Sequence, residues 1–90
     1  MTEIRFTQAA RKHRVGRDRA RHVIAHPVVV LNLAVPAEGM DERIVYLGDD
    51  KTGRALEVVA VATETGLLVI HVQDLQAKFR RYYDEAKEQR

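Results

Sequence analysis

The sequence contains no cysteine, so neither a disulfide nor a thiolate metal site can staple the fold, and stability must come from packing or from a partner. No apolar run approaches the roughly 20 residues that a membrane span needs. The opening Met1-Thr2-Glu3-Ile4-Arg5 lacks the apolar stretch of a secretory signal, and the expected location is the cytoplasm. Also missing are a phosphate-cradling glycine loop, a nucleophile elbow, a dinucleotide-binding fingerprint and an Asp/Glu cluster suited to Mg²⁺. These absences remove most enzyme classes. No repeat, low-complexity tract or linker divides the chain, so its 90 residues read as one domain spanning residues 1–90. A domain of this size buries only roughly 60–65% of the surface its unfolded chain would expose, which implies one thin core.

Charge is present in quantity but nearly balanced, at a net +2. Its distribution says more than its sum. Met1 to Pro27 holds seven Lys/Arg against two acids, Val28 to Leu75 three against eight, and Gln76 to Arg90 five against three. The ends are basic and the centre acidic. A basic N-terminal segment suits either an electrostatic footprint on phosphate or a solvated helix face.

Along the chain, Ile4 and Phe6 alternate with polar neighbours and suit a short edge strand, and Thr7 suits the N-cap of a brief helix through Ala9, Ala10 and His13. Val15-Gly16 breaks that helix. A second is predicted from Arg17 to Ala25, because Ala20, Val23 and Ile24 form one apolar stripe; Pro27 ends it. From Val28 the pattern turns β-branched, with strands predicted at Val28 to Leu33, Arg43 to Leu47, Arg54 to Ala62 and Leu67 to Val72. The short loops at Asp49 to Gly53 and Glu64 to Gly66 force antiparallel neighbours. The last two strands are apolar almost throughout and are expected to be central, covered by a helix from Leu75 to Glu88 with its stripe at Leu75, Phe79, Tyr82, Tyr83 and Ala86. The expected class is α+β: a four-stranded antiparallel sheet flanked by two N-terminal helices and one C-terminal helix.

Three groups of residues are candidates for chemistry. The basic run Arg11-Lys12-His13-Arg14 continues into Arg17 and Arg21, which lie four apart on one helix face and suit an RNA backbone or, alternatively, a solvated amphipathic helix or a surface for an acidic partner. Of the four histidines, His22 and His26 have the spacing of two helical ligands but lack the zincin Glu and an evident third ligand. His71 lies in the apolar stretch Val69-Ile70-His71-Val72, where a polar side chain is either a hydrogen-bonded structural group or an acid–base catalyst. Arg54 begins a strand beside a loop, a place suited to clamping phosphate. Glu57, three residues on and so on the opposite face, is either an exposed strand residue or a general base.

Arg11-Lys12-His13-Arg14-Val15, a helix ending in Ala25-His26-Pro27, then Arg43-Ile44-Val45-Tyr46-Leu47-Gly48, Gly53-Arg54 and Arg80-Arg81-Tyr82-Tyr83-Asp84-Glu85 together resemble the BrnT branch of the RelE-like toxins. The resemblance spans about residues 9 to 86. It departs at the start, where Ile4-Arg5-Phe6-Thr7-Gln8 replaces the usual Trp-Asp-x-x-Lys, and at Leu68 to Asp74, which replaces an Arg-rich strand. It implies a RelE-like fold, metal-independent RNA cleavage without a cofactor, and a small antitoxin partner, typically a ribbon-helix-helix DNA-binding protein. Lys12 and His13 match the opening motif, Arg54 the basic residue before the long strand, and Arg81 and Tyr83 the closing helix. On this reading Lys12, Arg54, His71 and Glu57 are the catalytic candidates, while His13, Arg14, Arg17, Arg21, Lys78 and Arg81 bind RNA. The competing expectation is a non-enzymatic module that binds an acidic partner or nucleic acid without cutting it.

Overall fold

The computed structural model describes residues 3–8, 10, 16–33 and 42–89. Its elements are β1 (Glu3–Phe6), α1 (Arg17–Ala25), β2 (Val29–Leu33), β3 (Arg43–Asp49), β4 (Ala55–Ala62), β5 (Gly66–Asp74) and α2 (Ala77–Glu88). Most of the first expected helix, Ala9 to His13, lies outside the described residues, although Thr7 Oγ1 accepts from the Ala10 N–H at 3.2 Å, the geometry of an N-cap.

The α+β class stands, but the expected four-stranded antiparallel sheet with three helices does not. The described residues form a five-stranded mixed sheet with two helices, in strand order β1-β5-β4-β3-β2. Strands β2 to β5 make the expected antiparallel meander. The fifth strand is β1, which runs parallel to β5 with Glu3 opposite Gly66 and Phe6 opposite Val69. This pairing explains why the apolar β5 can lie inside the sheet, since without β1 it would form an edge. The close approach depends on glycine: a Cβ at Gly66 would stand 2.0 Å from the Glu3 carbonyl oxygen.

Period-two alternation sorts the strands onto two faces. Leu56, Val58 and Ala60 of β4 join Val69 and Val72 of β5 on one face, where Ala20 and Val23 of α1 and Phe6 of β1 cover them. On the other face Val45 and Leu47 of β3, flanked by Val29, Leu31 and Leu33 of β2, pack under Phe79 and Tyr83 of α2. Within the expected α2 stripe, Tyr82 is the departure: it remains 44% exposed. The far end of α2 is tied down where the Tyr83 hydroxyl and the Lys87 ammonium both donate to the Asp49 carboxylate. Burial, and then the Asp49 contact, push the Tyr83 phenol above its ordinary range. Because α2 lies over β2 and β3, part of the β4–β5 half of this face is left open.

The β3–β4 hairpin is organised by Asp50, whose Oδ1 accepts from the Thr52 hydroxyl at 2.6 Å and from the backbone N–H groups of Thr52 at 2.8 Å and Arg54 at 3.0 Å. Gly53 completes the turn with φ of 89°. The Thr52 hydroxyl, the two N–H donors and the nearby Arg19 charge hold the Asp50 carboxyl below its ordinary range, against the opposing effect of burial. Such a depressed folded-state pKa contributes stability that is fully present above the unfolded value of about 3.9 and is lost as pH falls through the folded value.

Two outcomes are expected. Gly66→Ala detaches β1 at a cost of roughly 1–3 kcal/mol, read as a lowered urea midpoint together with rapid hydrogen exchange in residues 3–6. In denaturant unfolding between pH 2 and 6, Asp50→Asn makes the acid loss of stability shallower than in the unsubstituted chain; an unchanged acid limb would show that Asp50 does not contribute to it.

Candidate active site

The open half of the α2 face is a cleft of about 420 Å³ lined by Leu33, Arg43, Glu57, Val59, Ile70, His71, Gln73, Gln76, Lys78 and Phe79. Local pattern places each group there. On β4 and β5 the alternation that sends Leu56, Val58 and Val72 toward α1 sends Glu57, Val59, His71 and Gln73 the other way, with His71 opposite Val59 and Gln73 opposite Glu57. The register shifts between Val59 and Ala60, and Ile70, which has no register partner in β4, lines the cleft with them. Arg43 opens β3 on the face of Val45 and Leu47, opposite Val61 on one side and Leu33 on the other. Lys78 and Phe79 come from the first turn of α2.

Glu57 is buried, at 1% exposure, and both carboxylate oxygens are engaged: Oε1 accepts from the Gln76 N–H at 2.7 Å, and Oε2 from Gln73 Nε2 at 3.1 Å. Gln76 is the N-cap residue of α2 and makes no side-chain cap of its own. The sheet therefore supplies the acceptor, and the carboxylate charge sits at the positive end of the helix dipole. This makes Glu57 a positioning group behind the cleft wall, with His71 diagonal to it on the neighbouring strand.

Among the sequence-derived candidates, the structure brings Glu57, His71 and Lys78 together in this cleft. It does not bring Arg54. That guanidinium donates to Asp74 in a two-pronged pair, Nε to Oδ1 at 2.5 Å and Nη2 to Oδ2 at 2.8 Å, at the end of the sheet and outside the cleft lining. The pairing raises Arg54 and holds the Asp74 carboxyl below its ordinary range. Arg17 and Arg21 lie on α1, which packs on the opposite face; Arg21 stands 5.3 Å from the Phe6 ring centre and 3.7 Å from Asp18. Arg81 is exposed on α2 and pairs with Glu85 at 3.3 Å. Lys12, His13 and Arg14 lie outside the described residues.

Sequence reasoning passed over Arg43, Gln73 and Gln76 as cleft residues. For Arg43 the signal was available: it shares the period-two face of Val45 and Leu47, so a strand buried there carries its guanidinium to the same side. Among the described residues neither Arg43 nor Lys78 makes an ion pair, so two cations face a cleft that also presents an imidazole. That combination suits an anion with a transferable proton nearby. The His22 and His26 rings lie 4.9 Å apart on the α1 side, and among the described residues no group of three or more His, Asp or Glu could hold a metal. No helix among the described residues is long and apolar enough to cross a membrane.

No family model matches the chain, and neither does any curated protein or solved structure.

If Glu57 fixes the start of α2, Glu57→Ala leaves the Gln76 N–H without its acceptor and costs about 1–3 kcal/mol, while Glu57→Gln keeps an acceptor and costs less. Urea unfolding of the two variants checks the order; equal losses would count against the capping role.

Proposed function

We propose that this chain is a metal-independent endoribonuclease, the toxin half of a toxin–antitoxin pair of the BrnT type, and that it cuts RNA in the β4–β5 cleft. The observation that carries the reading is the convergence of His71 with Arg43 and Lys78 in one open cleft. The motif resemblance over residues 9 to 86 supports it independently. The proposed setting is the cytoplasm, with a small antitoxin as partner, of the ribbon-helix-helix kind.

In this mechanism Arg43 and Lys78 hold the scissile phosphate and stabilise the charge that builds on its oxygens. His71 accepts the proton of the ribose 2′-hydroxyl as the 2′-oxygen attacks phosphorus. The bond from phosphorus to the 5′-oxygen breaks, and that oxygen takes a proton from water. The products are a 2′,3′-cyclic phosphate and a 5′-hydroxyl end. Glu57 keeps its two hydrogen bonds throughout and holds the helix start against the strand that carries His71.

Inducible expression in a bacterial host, scored for growth and total RNA integrity, tests the reading. The unsubstituted chain should arrest growth and degrade RNA; His71→Ala should relieve both at equal protein level. With purified protein the cleavage rate should fall roughly 10²- to 10⁴-fold in His71→Ala, and Arg43→Ala should weaken RNA binding. Normal growth with intact RNA at high expression would replace the nuclease by a binding module that never cleaves.

A further inference from the structure

The histidine pair of α1 is a group singled out by its spacing that the cleft does not use. His22 and His26 sit four apart, about one turn of helix, which brings their side chains onto the same face. Their ring centres lie 4.9 Å apart with the planes tilted by 46°. Two imidazoles bound to one tetrahedral ion, each nitrogen about 2.0–2.1 Å from the metal, place their ring centres roughly 5 Å apart. The backbone therefore holds the rings at the separation that a shared ion requires. Rotation about the soft terminal torsion of each side chain is enough to aim the nitrogens.

The surroundings suit a cation. Among the described residues neither ring has a hydrogen-bond or ion-pair partner, so no protein group competes for the nitrogens. His26 is exposed and His22 partly exposed, which leaves the remaining positions of an ion between them open to water. The pair also closes α1: His22 lies in the last turn, and His26 is the C-cap, whose N–H donates to the His22 carbonyl oxygen. The unpaired carbonyls of a helix end and the negative end of its dipole favour positive charge there. The neighbouring cations of the helix are drawn elsewhere, Arg19 toward Asp50 at 3.6 Å and Arg21 toward Asp18 at 3.7 Å and the Phe6 ring. Because no group of three or more His, Asp or Glu converges among the described residues, the protein supplies two ligands and water completes the shell. Imidazole donors select Zn²⁺, Ni²⁺ or Cu²⁺ over Mg²⁺ and Ca²⁺, which prefer oxygen.

We propose that His22 and His26 chelate a divalent late transition ion of the Zn²⁺ class, which clips the last turn of α1 to its cap. A helix of nine residues with no side-chain hydrogen bond at its N-cap is marginal by itself, so the clip steadies the element that covers β3 and β4. The site lies on the opposite face of the sheet from the β4–β5 cleft, takes no part in the proposed cleavage and does not rest on that reading.

The test is a titration of the full chain with zinc chloride at about pH 7.5, where imidazole is neutral, followed by calorimetry and by NMR of the histidine rings. One Zn²⁺ per chain is expected, with shifts at the His22 and His26 rings while those of His13 and His71 hold still. Magnesium chloride at the same concentrations should move none of them. His26→Gln changes an exposed side chain and leaves one imidazole; it should weaken Zn²⁺ binding roughly tenfold or more, because the second ligand of a chelate acts at high effective concentration. His22→Gln should do the same. Saturating Zn²⁺ should raise the urea midpoint of the unsubstituted chain and leave that of His26→Gln unchanged. The proposal is overturned by no Zn²⁺ binding, by shifts spread equally over all four rings, by an equal response to Mg²⁺, by binding undiminished in His26→Gln, or by a urea midpoint that Zn²⁺ does not move.

Discussion

The hydrogen bond from the Gln76 N–H to the buried Glu57 carboxylate sets the boundary between the covered and uncovered halves of the sheet. It determines where α2 begins. From that point the helix runs over β2 and β3, bringing Phe79 and Tyr83 onto Val45 and Leu47. The same bond places Lys78 and Gln76 at the rim of the cleft whose floor carries His71 and Gln73. Burying a carboxylate is expensive unless its charge is met by donors. Here the Gln73 amide, the Gln76 N–H and the helix dipole meet it together, so one side chain serves both the packing of α2 and the shape of the cleft.

The opposite face follows a different logic. The short helix α1 presents few buried residues, chiefly Ala20 and Val23, and covers β3 and β4. It is docked through Arg19 beside Asp50, and Gly48 allows the close approach, since a Cβ there would stand 3.3 Å from Val23 Cγ1. The cations of α1 thus belong to a surface distinct from the cleft. In a protein this small, two faces of one sheet serve as two chemically separate surfaces.

Much of this was legible in the sequence. The Ala20, Val23 and Ile24 stripe, closed by Pro27, located α1 at Arg17 to Ala25, and the β-branched runs located four strands to within two residues of their bounds. What was not legible depends on contacts between distant segments. Parallel pairing of β1 with β5 leaves no short loop as a signature, and its one trace is a glycine at Gly66. Arg54 looked like a phosphate clamp because Asp74, its partner, lies twenty residues on and meets it only when β4 and β5 pair. His71 was visible as a polar residue in an apolar strand. Arg43 was legible as a member of the Val45 and Leu47 face; that this end of the face opens into a cleft was not, because it depends on where α2 lies.

The parallel β1–β5 ladder also bears on how the chain folds. The β2 to β5 meander is built from neighbouring segments, each within reach of a short loop closure, and local contacts of this kind form early. β1 pairs across a long stretch of chain, Glu3 with Gly66, so its docking carries a larger loop-closure entropy than any hairpin of the meander. While β1 is undocked, β5 presents an open edge of unpaired N–H and C=O groups to which a strand of a second chain can add. The four residues of β1 are therefore a kinetic safeguard as well as a structural one, since whatever delays their docking lengthens the time during which the chain is open to aggregation.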